Sequence, residues 1–196
     1  MHKIILASGS PRRAELLAQI GLEFEVIPSL AQEAAFSPPD SPGEYAARLA
    51  RVKAEEIRER LQKEGRDLGE SILLGADTVV FAEGELLGKP ADEEDAYRML
   101  RILSGRTHTV YTGVSLIFPG SPEQNESWYE ECKVRMEEIE ESEIGAYILG
   151  KEPMDKAGAY GIQGKAARFI RSLEGDYYTV MGLPLCALWK RIKRYC

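Results

Sequence analysis

"SILLGADTVVF", residues 71–81, is the segment from which the fold of this chain can be inferred. Apolar residues lie on both sides of Asp77 and Thr78, without the alternation that marks a strand with one solvated face. The pattern therefore predicts a central strand that is buried on both faces. A lone carboxylate is costly to bury, so Asp77 is expected to meet a metal, a cation or several hydrogen-bond donors. A functional acid is favoured here over a capping aspartate.

The segments on either side of this strand alternate between two periodicities. Short apolar runs predict further strands at 3–8, 24–28, 106–118, 126–139 and 167–176. Amphipathic patterns predict helices at 11–19, 44–63, 93–103, 141–149 and 183–195. Residues 82–90, "AEGELLGKP", indicate a hairpin turn with a short return strand. No linker or repeat divides the chain, so the prediction is a single α/β domain over residues 1–196 with a mixed sheet.

Composition excludes several classes of protein. The net charge of -7 over 196 residues argues against a general binder of nucleic acid or anionic membranes, which would carry an excess of base. Neither a signal peptide nor a transmembrane stretch is evident. Three widely spaced cysteines fit a reducing cytoplasm, and two histidines are too few for a histidine-based zinc site. A cytoplasmic protein that binds an anion must therefore hold it with locally concentrated cations.

The stretch "LASGSPRRAELL", residues 6–17, joins the end of a strand to a helix. Ser10 is placed to cap that helix, and Pro11 fits its first turn, where a missing N–H costs nothing. Arg12 and Arg13 follow directly, although a helix N-terminus carries partial positive charge and disfavours cations. The sequence therefore raises the question of which anionic group offsets this repulsion.

Three further residues are candidates with an open alternative. Lys53 falls on the apolar stripe of its helix, where it either points at an anion or snorkels past the edge of the stripe. Lys89 lies at a stiff loop exit between Gly88 and Pro90, and the alternative is an ordinary surface lysine. Gln163 lies in a glycine-rich loop that matches neither a dinucleotide fingerprint nor a P-loop. Its amide could read the edge of a base, or it is only a turn residue.

These stretches together resemble the Maf family of nucleoside triphosphate pyrophosphatases. The resemblance covers nearly the whole chain in the family's order, through segments 6–17, 48–57, 75–80, 87–90, 103–114, 150–164 and 180–185. It implies an elongated mixed sheet flanked by helices, with two lobes and an active cleft between them, as in ITPase-like folds. It also implies hydrolysis of a nucleotide to its monophosphate and pyrophosphate with a divalent metal, Mg or Mn.

The resemblance assigns roles by position. Asp77 corresponds to the proton acceptor, and Glu33 with Asp77 corresponds to the acidic metal-binding residues. The remaining substrate-binding positions implied are Ser8, Ser10, Arg12, Arg13, Lys53, Thr78, Lys89, Lys156 and Gln163. Among them, Arg12, Thr78 and Gln163 occupy the family's specificity positions, and their residue types resemble the branch that acts on dTTP and UTP.

Other functions are also compatible with the sequence. The family also contains a branch that acts on 7-methyl-GTP, with Trp, Gln and Glu at the specificity positions, and a house-cleaning role on modified nucleotides shares the same chemistry. Maf proteins are linked to arrest of cell division and septum formation as well, which suggests a nucleotide-binding regulator. A homodimer is an expectation from the family alone.

Overall fold

The computed structural model describes residues 2–32, 35–36 and 41–195. Its strands are β1 (Ile4–Leu6), β2 (Phe24–Val26), β3 (Ile72–Ala82), β4 (Glu85–Leu87), β5 (Thr107–Ile117), β6 (Glu126–Met136) and β7 (Ile170–Gly175). Its α-helices are α1 (Pro11–Gln19), α2 (Pro42–Lys63), α3 (Glu93–Leu103), α4 (Glu141–Leu149), α5 (Tyr177–Met181) and α6 (Leu185–Ile192). No helix in the described part of the chain is long and apolar enough to cross a membrane.

The strands form one mixed seven-stranded sheet in the order β2-β1-β3-β5-β6-β7, and β4 pairs with β3 outside this path. Strand β1 is parallel to β2 and to β3, with Leu6 opposite Leu74. Strand β4 is antiparallel to β3, and β7 is antiparallel to β6. The predicted α/β class with a mixed sheet is therefore confirmed, and β3 is buried along almost its whole length, as predicted.

The chain divides into two compact units. The first unit comprises Met1–Asp77, Thr112–Glu130 and Gly182–Cys196, and the second comprises Thr78–Tyr111 and Glu131–Met181. The long strands β3, β5 and β6 each contribute residues to both units. The two units agree with the two lobes that the resemblance implies, whereas the single domain over residues 1–196 stays a prediction.

In the first unit, helix α2 lies in direct backbone contact with the sheet at two glycines. A Cβ added to Gly75 of β3 would lie 2.0 Å from the carbonyl oxygen of Ala50. One added to Gly113 of β5 would lie 2.1 Å from the carbonyl carbon of Ala46. Because no side chain fits at either place, α2 approaches two neighbouring strands more closely than ordinary helix packing allows. The apolar face of α2 then buries Ala54, Ile57 and Leu61 against β1 and β3.

In the second unit, α3 and α4 pack on the distal half of β3 and its neighbours. The core includes Val80 of β3, Leu100 and Leu103 of α3, and Ile144 and Tyr147 of α4. The predicted hairpin after β3 is present, and its turn places Glu83 and Gly84 at positive φ, 50° and 82°. Asp92 caps α3 by accepting a hydrogen bond from the Asp95 N–H, as the sequence predicts.

Several elements are shorter than predicted: β1 and β2 end two residues early, β6 ends three residues early, and α6 covers Leu185–Ile192 instead of 183–195. Helices α1 and α4 have the predicted limits, whereas α2 begins two residues early at Pro42, because Ser41 and Glu44 form a capping box. Residues 165–169 form a 3₁₀ helix, so the strand predicted from residue 167 begins only at Ile170. The short helix α5 was not predicted.

Candidate active site

Asp77 is buried, and a lysine meets it. Its relative exposure is 7%, and the Lys53 ammonium donates a hydrogen bond to its Oδ1 at 2.5 Å. The side chain of Lys53 is itself only 17% exposed. Lys53 is therefore the cation that the burial of Asp77 requires, and it points at an anion instead of snorkelling to solvent.

The close approach of α2 explains why this lysine reaches this aspartate. Gly75 and Asp77 are two residues apart on β3, so both project from the same face of the sheet. Lys53 follows Ala50, whose carbonyl sits over Gly75, by one turn of the helix. The contact between the α2 backbone and Gly75 therefore places the side chain of Lys53 within hydrogen-bond distance of Asp77.

The side chain of Arg13 is bound by oxygens of the protein itself. Its side chain is buried, and Nε donates to the carbonyl oxygen of Gly182 at 2.8 Å. Its Nη1 donates to Ser8 Oγ and to the carbonyl oxygen of Ala76, both at 2.9 Å. Oxygens of the protein itself therefore offset the cation at this helix start, and Arg13 ties the Ser8–Arg13 loop to the residue before Asp77. Its predicted contact with phosphate stays a prediction.

Ser10 holds the N-cap position of α1, with Pro11 next in the first turn, but its side chain makes no capping hydrogen bond. The predicted N-cap position of Ser10 is therefore confirmed, whereas the capping hydrogen bond expected from its hydroxyl is absent. Instead, the Ser10 N–H donates to Ser8 Oγ at 3.2 Å, which folds the loop back on itself. Arg12, in the first helical turn, is only partly buried, so the two arginines differ in environment.

Glu33 lies outside the described residues, so its predicted metal role stays a prediction. The chain leading to it is tied to α2, because Ser29 Oγ and the Leu30 N–H both donate to Glu56 Oε2, at 2.9 and 3.0 Å. Glu56 lies one turn after Lys53 on α2. Within residues 2–32, 35–36 and 41–195, no group of three or more His, Cys, Asp or Glu is arranged to hold a metal ion.

The second unit contains the other four predicted residues. Thr78 is partly buried on β3, and Lys89 is exposed just after β4. Lys156 Nζ donates to the Glu152 carbonyl oxygen at 2.7 Å and to Asp155 Oδ1 at 2.6 Å. Gln163 is exposed near the end of the same loop. Lys156 therefore has carboxylate and carbonyl partners within its own loop.

The loop of residues 152–165, here called the Gln163 loop, is joined to the loop that carries Lys89. The Gly158 N–H donates to the Gly88 carbonyl oxygen at 3.0 Å. Gly158 has a φ of 67°, and a Cβ there would press on Val80 at 3.0 Å, so only glycine fits without strain. Val80 lies two residues after Thr78 on β3. The end of β3, the loop that carries Lys89 and the Gln163 loop therefore pack together.

Two buried polar residues in this region were not predicted as functional. His108 of β5 is 2% exposed, and its Nε2 shares a hydrogen bond of 2.7 Å with the hydroxyl of Tyr160 in the Gln163 loop. Nδ1 of the same ring is buried and has no hydrogen-bond partner among the described residues. The sequence indicates a packed strand residue at His108, which is confirmed, but gives no sign of its partner.

The buried imidazole gives stability a pH dependence. Burial lowers the pKa of His108 from its ordinary 6.5 to about 4, so between these values the unfolded chain binds a proton that the folded chain does not. Stability should therefore fall by up to about 3 kcal/mol as the pH drops through this window. Urea unfolding of the wild type and of His108→Gln at about pH 7 and about pH 4.5 measures it. Equal losses in both proteins would contradict the assignment to His108.

Comparison with known proteins identifies the family of the chain. A family described as "Maf-like protein" matches residues 3–195. Proteins named "dTTP/UTP pyrophosphatase" from Bacillus cereus strains G9842 and ZK / E33L are 45% and 46% identical over 197 aligned positions, covering 100% of this chain and 96% of each relative. The Ham1 protein of Staphylococcus aureus shares the fold at 14% identity, with a TM-score of 0.53 over 99% of this chain and 100% of that one. The chain therefore belongs to the Maf family.

Proposed function

We propose that this protein hydrolyses dTTP and UTP to the nucleoside monophosphate and pyrophosphate. The observation that carries the proposal is the buried Asp77–Lys53 pair, 2.5 Å apart, which puts an acid and a cation together on the central strand. Two relatives that match the whole chain are named for this activity. A protein that only senses nucleotides needs cations for the phosphates but no buried acid beside them.

In the first unit, the Ser8–Arg13 loop is proposed to bind the phosphates. It leads into the N-terminus of α1, where backbone N–H groups and the helix dipole favour an anion. Arg12 and Lys53 supply positive charge in a chain whose net charge is -7. Ser10 offers a hydroxyl that does not cap the helix, and Arg13 holds the loop through Ser8 and Ala76.

The proposed chemical step uses Asp77 as the proton acceptor. A water molecule gives a proton to the Asp77 carboxylate, its oxygen bonds to the α-phosphorus, and the bond from that phosphorus to the bridging oxygen breaks. Pyrophosphate leaves with the electron pair of that bond. As Asp77 takes up the proton, its attraction for the Lys53 ammonium weakens, so the lysine can neutralise charge that develops on the phosphates.

A divalent metal, Mg or Mn, would be held by Asp77 together with the phosphate oxygens of the substrate. Magnesium in nucleotide sites keeps several waters and needs only one or two carboxylates in addition to the phosphate oxygens. Asp77 supplies one buried carboxylate, and Glu33 is proposed as the second. When bound, the metal neutralises phosphate charge and orients the triphosphate.

In the second unit, Gln163 is proposed to recognise the base, with Thr78 as a second specificity residue and Lys89 and Lys156 as further cations for the substrate. The imide edge shared by thymine and uracil carries one donor flanked by acceptors, and an amide side chain has both a donor and an acceptor to match it. Cytosine presents donor and acceptor in the opposite order, so an amide held in one orientation would leave polar groups unpaired.

A nucleotide panel tests this proposal. Purified protein is incubated with dTTP, UTP, CTP, GTP and 7-methyl-GTP, each with Mg, with Mn and with a chelator, in water enriched in heavy oxygen. We expect dTTP and UTP to react fastest, the chelator to abolish turnover, and the heavy oxygen to appear in the monophosphate. Formation of a diphosphate, or binding without any hydrolysis, would contradict the proposed reaction. A preference for 7-methyl-GTP would contradict only the choice of substrate.

We further propose that the protein removes surplus or non-standard nucleotides in the cytoplasm, as a homodimer. The thiols of Cys132 and Cys186 are free, which fits a reducing compartment. The dimer rests on the family resemblance alone. Light scattering of the purified protein measures its mass directly.

A further inference from the structure

The Gln163 loop is held at its base by one acidic residue. Glu152 accepts hydrogen bonds from the Tyr147 hydroxyl at 3.1 Å and from the Lys165 N–H at 3.0 Å. Its carbonyl oxygen also accepts from Lys156 Nζ at 2.7 Å. Glu152 and Lys165 lie at opposite ends of the loop, so the hydrogen bond between them holds the two ends together. Gln163 lies two residues before Lys165.

The middle of the loop is held at two further points. The Gly158 N–H donates to the Gly88 carbonyl oxygen at 3.0 Å, as described above. Two residues later, the Tyr160 hydroxyl shares its 2.7 Å hydrogen bond with His108 Nε2, and the two rings meet edge to face with centroids 5.3 Å apart. Tyr160 is 5% exposed and His108 2%, so the bond is shielded from competing water.

We propose that His108 and Tyr160 are positioning residues that fix the Gln163 loop, and thereby the Gln163 amide, for recognition of the base. This proposal rests on the proposed function, because it takes Gln163 as the residue that reads the base. Gln163 lies three residues after Tyr160, between Gly161 and Gly164, which add no side chains to stiffen the chain. The Gly164 N–H donates to the Gly161 carbonyl oxygen at 3.1 Å, so the turn that carries Gln163 begins directly after Tyr160.

The physical reason is preorganisation. A base-reading amide discriminates only if it stays in place when the wrong base arrives; a loop that moves can adapt to either pattern of donors and acceptors. The alternative is that the pair only fills the core between β5 and the loop. The buried 2.7 Å hydrogen bond argues against simple filling, since two apolar side chains would fill the same space without polar groups that need partners.

Tyr160→Phe tests the proposal, since it deletes only the hydroxyl and keeps the ring. We expect the ratio of kcat/KM for dTTP over CTP to fall about fivefold to tenfold, mainly through a higher KM for dTTP, with kcat changed less than about twofold. His108→Leu should give the same fall in the ratio. His108→Gln should retain most of the wild-type ratio, because its amide nitrogen can reach the position of Nε2.

Two controls separate positioning from packing. Tyr97→Phe removes a hydroxyl from the same unit, on α3, and should leave the ratio unchanged. In the double variant Tyr160→Phe/Gln163→Ala, the ratio should equal that of Gln163→Ala alone, since a positioning residue has no effect once the amide is gone. Thermal unfolding of each variant shows how much stability is lost.

The outcomes distinguish this inference from the proposed function. If the wild type hydrolyses none of the nucleotides, the proposed function fails. If the wild type discriminates and Gln163→Ala loses that discrimination, but Tyr160→Phe keeps the wild-type ratio while unfolding at a lower temperature, the pair is structural only and the inference is overturned. A wild-type ratio in Gln163→Ala would overturn it as well.

Discussion

Replacing Asp77 by asparagine should lower kcat for dTTP by about two to four orders of magnitude, with a much smaller change in KM. Asparagine has nearly the same shape and can still accept a hydrogen bond from Lys53, but it cannot take a proton from water. The loss therefore reports the acid–base role of the carboxylate. Initial rates at saturating dTTP and metal measure it.

The matched control is Glu70→Gln, which makes the same change of carboxylate to amide at an exposed position just before β3. It should leave kcat unchanged. Because Asp77→Asn also removes the carboxylate charge that the partly buried Lys53 ammonium contacts, a double variant with Lys53→Met shows how much stability the loss of that ion pair costs. Near-normal kcat in Asp77→Asn would rule out Asp77 as the proton acceptor.

Gly75→Ala should destabilise the protein and remove most of its activity. The added Cβ would lie 2.0 Å from the Ala50 carbonyl oxygen, so α2 must move away from β3. Overpacking of this kind costs about 1–3 kcal/mol or more. Since Lys53 follows Ala50 by one turn, the same movement separates Lys53 from Asp77, and we expect kcat/KM to fall at least about tenfold. Urea unfolding and dTTP turnover measure the two effects.

Gly145→Ala is the control for this substitution. Gly145 is also a glycine within a regular element, α4, but an added Cβ meets nothing within 4 Å. The change should leave activity intact and stabilise the helix by up to about 1 kcal/mol. If Gly75→Ala were as stable and as active as the wild type, the close approach of α2 would not be what positions Lys53.

The helices and strands of this fold, and its α/β class, can be predicted from local patterns in the sequence. The unbroken apolar run of β3 predicts a strand buried on both faces, and that strand lies inside the sheet. Helix α3 begins where Asp92 and three following acids predict it. Such features depend on residues close together in the chain, so a single sequence contains them. The order of the motifs was enough to suggest the family.

The partners of the site residues, by contrast, depend on how distant segments pack. Lys53 and Asp77 are 24 positions apart, and Arg13 and Gly182 are 169 apart, and no local pattern encodes either pairing. The lone glycine at 75 inside an apolar strand was the available sign of a close backbone approach, but it does not say which helix approaches. A contact between distant segments depends on how the intervening elements pack, and that packing is a property of the whole fold.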